Sequence, residues 1–155
     1  MDRSELRTLI RKFLRLLQVP SDSQENAESE LRLLLDQLAL ARHFVVHDFD
    51  AQEYPDPPTS DYAQLRSAAS HRFPQYGAYN VPEYITTDLG TSPCGLADAI
   101  DDIADIARDL QEVEWRWSHT SDEDALFHFN LTFDQHWGEH LRGLQQYLHA
   151  RPRGG

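Results

Sequence analysis
The sequence predicts a single all-α domain, a bundle of about five helices over residues 1–150, on three observations. Apolar residues recur at helical spacing in five separate stretches. A length of 155 residues suits one domain that buries roughly two-thirds of its unfolded surface. One cysteine, Cys94, excludes a disulfide framework within the chain, so an apolar core must hold the fold.

The first helix occupies 4–18, where Leu6, Leu9, Ile10, Phe13, Leu14 and Leu17 share a face; Ser4 is its expected N-cap and Pro20 its stop. A polar run from Ser21 to Asn26 leads into a second helix over 24–45, striped by Ala27, Leu31, Leu34, Leu35, Leu38, Ala41 and Val45. The YPDPP run makes 46–60 an extended loop, because proline cannot continue a helix. Thr59 or Ser60 caps a third helix over 60–72, with Tyr62, Leu65 and Ala69 inward. Residues 73–95 mix aromatics with Pro and Gly without a period. They read as a long packed loop with a short strand pair near Tyr79 and Tyr84–Thr86. The fourth helix runs from about Gly95 to Trp117, with Ser92 as cap and Pro93 in its first turn. The fifth starts at Ser121, whose box partner is Asp124, and runs to about His149, antiparallel to the fourth. Residues 151–155 form a frayed tail, and its Gly154–Gly155 end is not read as a modifier signature.

Twenty-six acids and fourteen bases leave a net charge of −12, which argues against nucleic acid as the main partner. Five bases and two acids give residues 1–18 a charge of +3; residues 142–155 carry three arginines and no acid, again +3. The segment between them therefore holds −18. Basic ends on an acidic body suggest attraction within the chain, a head-to-tail contact between copies, or simply a solvated basic face. No apolar run approaches the roughly 20 residues of a membrane span, and MDRSELRTLIRKF offers no signal-peptide core. A soluble cytoplasmic protein is the expectation.

The fourth helix has two sides. Leu96, Ala99, Ile103, Ile106, Leu110 and Trp117 share one. Asp98, Asp101, Asp102, Asp105, Asp109 and Glu112 fall within an arc of about 100° on another. Like charges at i, i+3 and i+4 destabilise a helix, and only Arg108 and Arg116 offset them on the same element. Three readings follow: a solvated face, a divalent-cation site built on Asp101 and Asp105, or a docking surface for a basic protein formed by Asp98, Asp101, Asp102, Asp105 and Asp109.

On the fifth helix HWGEH, residues 136–140, has the H-x-x-E-H spacing of one zinc metallopeptidase class. A metallopeptidase would also need a third ligand and a substrate cleft, for which 155 residues leave little room, and Gly138 has no role in the motif. On the wheel His136 and His140 lie at the edge of the apolar face set by Leu126, Phe129, Phe133, Trp137, Leu144 and Leu148. Buried imidazoles need a partner for each ring nitrogen, and the fourth helix is the nearest source of acceptors. The alternatives are a structural His–Asp network, a pH-sensing pair, or a Zn, Mn or Mg site using Asp101, Asp105, His136 and His140, with Trp137 and Glu139 in support and Glu139 as a general base. Mid-helix Gly138 suggests close approach by another segment, such as the 76–86 loop, which would cover the histidines. Cys94 is read as a bystander, and the NLT acceptor at 130–132 is discarded because it lies mid-helix.

DDIADIARDL (101–110), SDEDALFHF (121–129) and FDQHWGEHL (133–141) resemble an uncharacterised bacterial family of unknown function, over about residues 90–145. The resemblance implies a small all-helical protein of the bacterial cytoplasm and brings no activity with it. Two functions remain open from the residues. One is a non-enzymatic regulator that docks a basic protein on the acidic face. The other is a metal-binding protein or metal-dependent hydrolase. The apolar side of the first helix would allow a homodimer.

Overall fold
The computed structural model describes residues 1–18 and 24–152. Among them are α1 (Arg3–Gln18), α2 (Gln24–Ala41), α3 (Tyr62–Arg72), β1 (Ala78–Pro82), β2 (Cys94–Asp98), α4 (Ala99–His119), α5 (Asp122–Thr132) and α6 (Gly138–Ala150), with a π-helical turn, Phe133–Trp137, joining the last two. The molecule is an all-helical bundle with one small antiparallel hairpin, β1 against β2. Pro20, Ser21 to Ser23 and the Gly154–Gly155 end lie outside the described residues.

α4 is the central rod and packs against α1, α3, α5 and α6. Its inner face, Ile103, Ile106, Leu110 and Val113, is wholly buried. α5, the π-turn and α6 form one rod that returns alongside it. His136 meets Asp109 and His140 meets Asp102, so the two rods run antiparallel. α1 inserts Leu6, Leu9, Ile10 and Phe13 into the core, which places its apolar side inside the chain. Its basic side meets the acidic body: Arg7 and Arg11 converge on Glu114 at 2.9 and 2.7 Å, and Arg3 pairs with Glu123. Three of the five bases of α1 are therefore met within the chain. No described helix is long and apolar enough to cross a membrane.

Several boundaries differ from the sequence expectation, each for a local reason. α1 begins one residue earlier, because Asp2 rather than Ser4 caps it; the Glu5 amide donates to Asp2 and Glu5 accepts from the Asp2 amide. Asp61, not Thr59 or Ser60, caps α3 through the Gln64 amide. α2 ends at Ala41, where the chain turns through Arg42–Phe44. The fourth helix starts at Ala99 rather than Gly95, because residues 94–98 are taken into the hairpin ladder with 78–82. Asp98 is its cap, accepting from the amides of Ile100 and Asp101, whereas Ser92 accepts from the Tyr84 amide across the hairpin loop. Leu96, expected on the buried face, is 79 % exposed on β2. The second expected strand, Tyr84–Thr86, is loop; Tyr84 is exposed while Phe73 and Tyr76 are buried. The fifth helix keeps its expected Ser121 cap, with the Asp124 amide donating to Ser121. Arg151, placed in the expected tail, lies 4.7 Å over the Tyr76 ring and donates to the Tyr147 hydroxyl.

A pH effect arises where α4 meets α5. His128 lies 3.9 Å from Glu112 and 3.6 Å from Asp124, both of which are bonded to Arg116. Burial first, and the Arg116 charge second, hold its imidazole below the ordinary pKa. In the unfolded chain the ring charges below about pH 6.5. The folded state then binds fewer protons than the unfolded state, so stability must fall as pH drops through that value. Melting curves of wild type and His128→Gln between about pH 7.5 and 5 should diverge, with the wild type losing more stability toward the acid side. Parallel curves would remove His128 from the account.

Candidate functional site
The polar seam between α4 and the returning rod is built from helix periodicity. Asp102, Asp105 and Asp109 follow one another at spacings of three and four, so they stack on one face. His136 lies within the π-turn and His140 one turn on, in α6, with ring centroids 4.8 Å apart. Antiparallel packing then sets each ring against a different carboxylate. His136 Nδ1 is 2.6 Å from Asp109 Oδ2, and His140 Nδ1 is 2.8 Å from Asp102 Oδ1.

A carboxylate accepts, so in the neutral imidazole each Nδ1 carries the proton and each Nε2 presents a lone pair. Both Nε2 atoms turn toward the carboxylate between them. His136 Nε2 is 3.8 Å from Asp105 Oδ1, and His140 Nε2 is 3.6 Å from Asp105 Oδ2. Asp105, His136 and His140 thus offer three donor atoms within 4.8 Å of one another. Arg108 supports the tautomer: its Nη2, which can only donate, lies 3.5 Å from His136 Nε2 and 2.8 Å from Asp105 Oδ1.

Asp102 is buried and doubly engaged, since its second oxygen accepts the Tyr79 hydroxyl at 2.5 Å. Burial and this bond raise the Tyr79 pKa well above a free phenol's, so Tyr79 stays a donor. The Asp102 hydrogen bond raises the His140 pKa while burial opposes it. Burial pushes the Asp109 carboxyl up, and its bond to His136 pulls the other way. At the rim, Tyr62 is pushed up to about 12 by burial and by the charges of Asp105 and Asp101.

The expected site residues divide accordingly. Asp105, His136 and His140 come together; Asp102 and Asp109 stand behind the histidines as hydrogen-bond acceptors. Asp101 is elsewhere: its carboxylate is 2.6 Å from Arg66 Nε, with the Tyr62 hydroxyl at 3.4 Å. Asp98 caps α4 and has Arg66 at 3.7 Å. Trp137 is not in the seam but wholly buried behind it, between Phe129 and Phe133, with Nε1 donating to Thr132. Glu139 is exposed, and its charge is felt at His140 and Tyr79. The 76–86 segment reaches Asp102, behind His140, rather than the rings themselves, and it crosses the helix at Gly143. A Cβ there would lie 2.5 Å from the Tyr79 hydroxyl oxygen. Gly138 is required instead by its own π-turn, since a Cβ would meet the Phe133 carbonyl oxygen at 2.4 Å.

Sequence reasoning named Arg108 only as a base offsetting the acidic arc and Tyr79 only as a strand residue, and it gave Gly143 no part. Arg108 was legible as the i+3 neighbour of Asp105, on the same face. A second glycine within one helix was the trace left by Tyr79.

Comparison with known proteins adds a family and a fold. Among curated proteins none matches. The crystal structure of protein BF1032 from Bacteroides fragilis is similar, with a TM-score of 0.72 at 18 % identity over 94 % of this chain and 91 % of that one. That likeness shows the fold alone. A family model described as a domain of unknown function, DUF5063, matches residues 3–151, far beyond the C-terminal segments that suggested such a family. The chain therefore belongs to the DUF5063 family of unknown function.

Proposed function
We propose that this protein binds a divalent transition-metal ion between Asp105, His136 and His140. The supporting observation is the convergence of two Nε2 lone pairs on the two oxygens of one carboxylate, at 3.8 and 3.6 Å. Donors bonded to one ion at about 2.1 Å in tetrahedral geometry stand roughly 3.4 Å apart. Asp109 and Asp102 supply the outer hydrogen bonds that orient metal-bound imidazoles and raise their basicity. Charge supports the same reading: the three carboxylates of the seam exceed the single positive charge of Arg108 when both rings are neutral, so a further cation is favoured there.

Two imidazoles and a carboxylate suit Zn²⁺, Mn²⁺ or Ni²⁺ better than Mg²⁺, which prefers oxygen throughout. Three protein donors leave positions open for water or a substrate, as in catalytic rather than closed structural sites. Docking of a basic protein on α4 ranks behind this reading. Every carboxylate of the expected surface already has an internal partner: Arg66 for Asp98 and Asp101, Tyr79 and His140 for Asp102, Arg108 for Asp105 and His136 for Asp109.

Metal uptake tests the proposal. At an ion concentration a hundredfold above Kd, the gain is about 2.7 kcal/mol, which raises Tm by about 5–10 °C for a chain of this size. His140→Ala and Asp105→Asn are expected to abolish the rise, and Asp101→Asn to keep it. If native protein carries no metal and Zn²⁺, Mn²⁺ and Ni²⁺ all leave Tm unchanged, the proposal fails.

A further inference from the structure
Arg108 stands where an incoming ion would have to go. Its Nη2 is 2.8 Å from Asp105 Oδ1 and 3.5 Å from His136 Nε2, two of the donor atoms of the metal reading. An ion bonded to both atoms needs the oxygen and the lone pair that this guanidinium now faces. Like charges at such separations repel strongly in a partly desolvated seam. The guanidinium must therefore withdraw as the ion enters.

The surroundings give it somewhere to go. The side chain is 40 % exposed, so it moves without disturbing the core. Its guanidinium carbon lies 5.3 Å from the Tyr62 ring, and its Nε is 4.0 Å from Asp109 Oδ1. Both contacts hold a cation near the rim without using the donor atoms of the seam. In the metal-free protein the same guanidinium neutralises Asp105 and keeps that carboxylate between the two imidazoles.

We propose that Arg108 is a displaceable internal cation that occupies the Asp105–His136 position in the metal-free protein and competes with a divalent ion for it. The inference rests on the metal reading and adds its regulation. Affinity is set by exchange of one cation for another, so the apparent Kd for the ion is raised by the cost of moving the guanidinium. Loading transfers a guanidinium from the seam to its rim.

The test uses the full chain, stripped of metal and titrated with Zn²⁺ against a chromophoric chelator. Arg108→Gln is expected to bind at least about tenfold tighter than wild type, because the competing charge is gone. Arg108→Lys, which keeps the charge, is expected to stay near wild type. An Arg108→Gln affinity equal to or weaker than wild type overturns the inference while leaving the metal reading intact. Zn²⁺ uptake by neither protein sinks the metal reading, and this inference with it. A second readout needs no variant: the Arg108 Nε–H resonance of the wild type should shift on Zn²⁺ saturation, and a stationary resonance in a loaded protein also overturns the inference.

Discussion

Trp137→Ala is expected to lower the stability of the fold by about 3–5 kcal/mol, the range for removing a fully buried large aromatic side chain. The indole is wholly buried and meets Phe129 and Phe133 edge-on at 5.1 and 4.7 Å. Its Nε1–H donates to the Thr132 hydroxyl, so even its polar atom is satisfied inside. Truncation leaves a cavity at the junction of α5 and α6, which a rod held on both sides by α4 closes only in part. Because typical domains are stable by 5–15 kcal/mol, the variant should remain folded but unfold at clearly lower urea concentration. The His136 ring follows immediately before Trp137 in the turn and should lose its fixed distance to Asp109. Urea unfolding checks the first effect, and the His136 ring resonances check the second. A loss below about 1 kcal/mol would mean that the indole does not brace the turn.

The two glycines of the returning rod should respond differently to the same substitution. Glycine-to-alanine normally stabilises a helix interior by about 1 kcal/mol. At Gly138 the new methyl would meet the Phe133 carbonyl oxygen at 2.4 Å and its ring at 3.0 Å. That oxygen is backbone within the same turn and cannot step aside. Gly138→Ala is therefore expected to destabilise by about 1–3 kcal/mol, the usual cost of overpacking. At Gly143 the obstacle is the far end of a side chain, the Tyr79 hydroxyl. Tyr79 can swing away, losing one hydrogen bond worth about 1 kcal/mol, which the helix gain roughly offsets. Gly143→Ala should thus melt near wild type while Tyr79 titrates closer to a free phenol. Thermal melts of both variants and an absorbance titration of the tyrosines decide the matter. Equal melting temperatures for the two variants would refute the distinction.

Most of the fold was legible because it rests on one-dimensional periodicity. The leucines of α1 and α2, the isoleucines of α4 and the Ser121 cap repeat or signal at spacings that only a helix explains. What escaped was set by partners distant in sequence. CGLAD looks like a helix start until the 78–82 strand claims its amides and carbonyls. Leu96 then faces outward although its hydrophobicity says otherwise. The π-turn did leave a trace. Phe129, Phe133, Trp137 and Leu141 follow at three successive spacings of four. In a regular helix twelve residues put Phe129 and Leu141 about 120° apart, whereas absorbing one residue reduces this to about 20°. The apolar face stays continuous only if the helix widens there.

The seam was half legible for a related reason. A wheel places Asp102, Asp105 and Asp109 together and shows His136 and His140 one turn apart. It cannot say which carboxylate each ring meets, because that depends on the offset between two rods. Asp101 and Asp105 looked equivalent on the wheel until α3 brought Arg66 against the former. Tyr79 arrives from a segment whose path no local rule specifies.

The carboxylates of the seam stand on the one helix that packs against four others, α1, α3, α5 and α6, which holds their backbone in place. If the seam holds an ion as proposed, a cage on such a frame would sort ions by radius and donor taste instead of reshaping itself around each arrival. Calcium, which wants six to eight oxygens at about 2.3–2.6 Å, meets nitrogen and too few oxygens there. Whatever accommodation an arriving ion demands falls on side chains at the mouth.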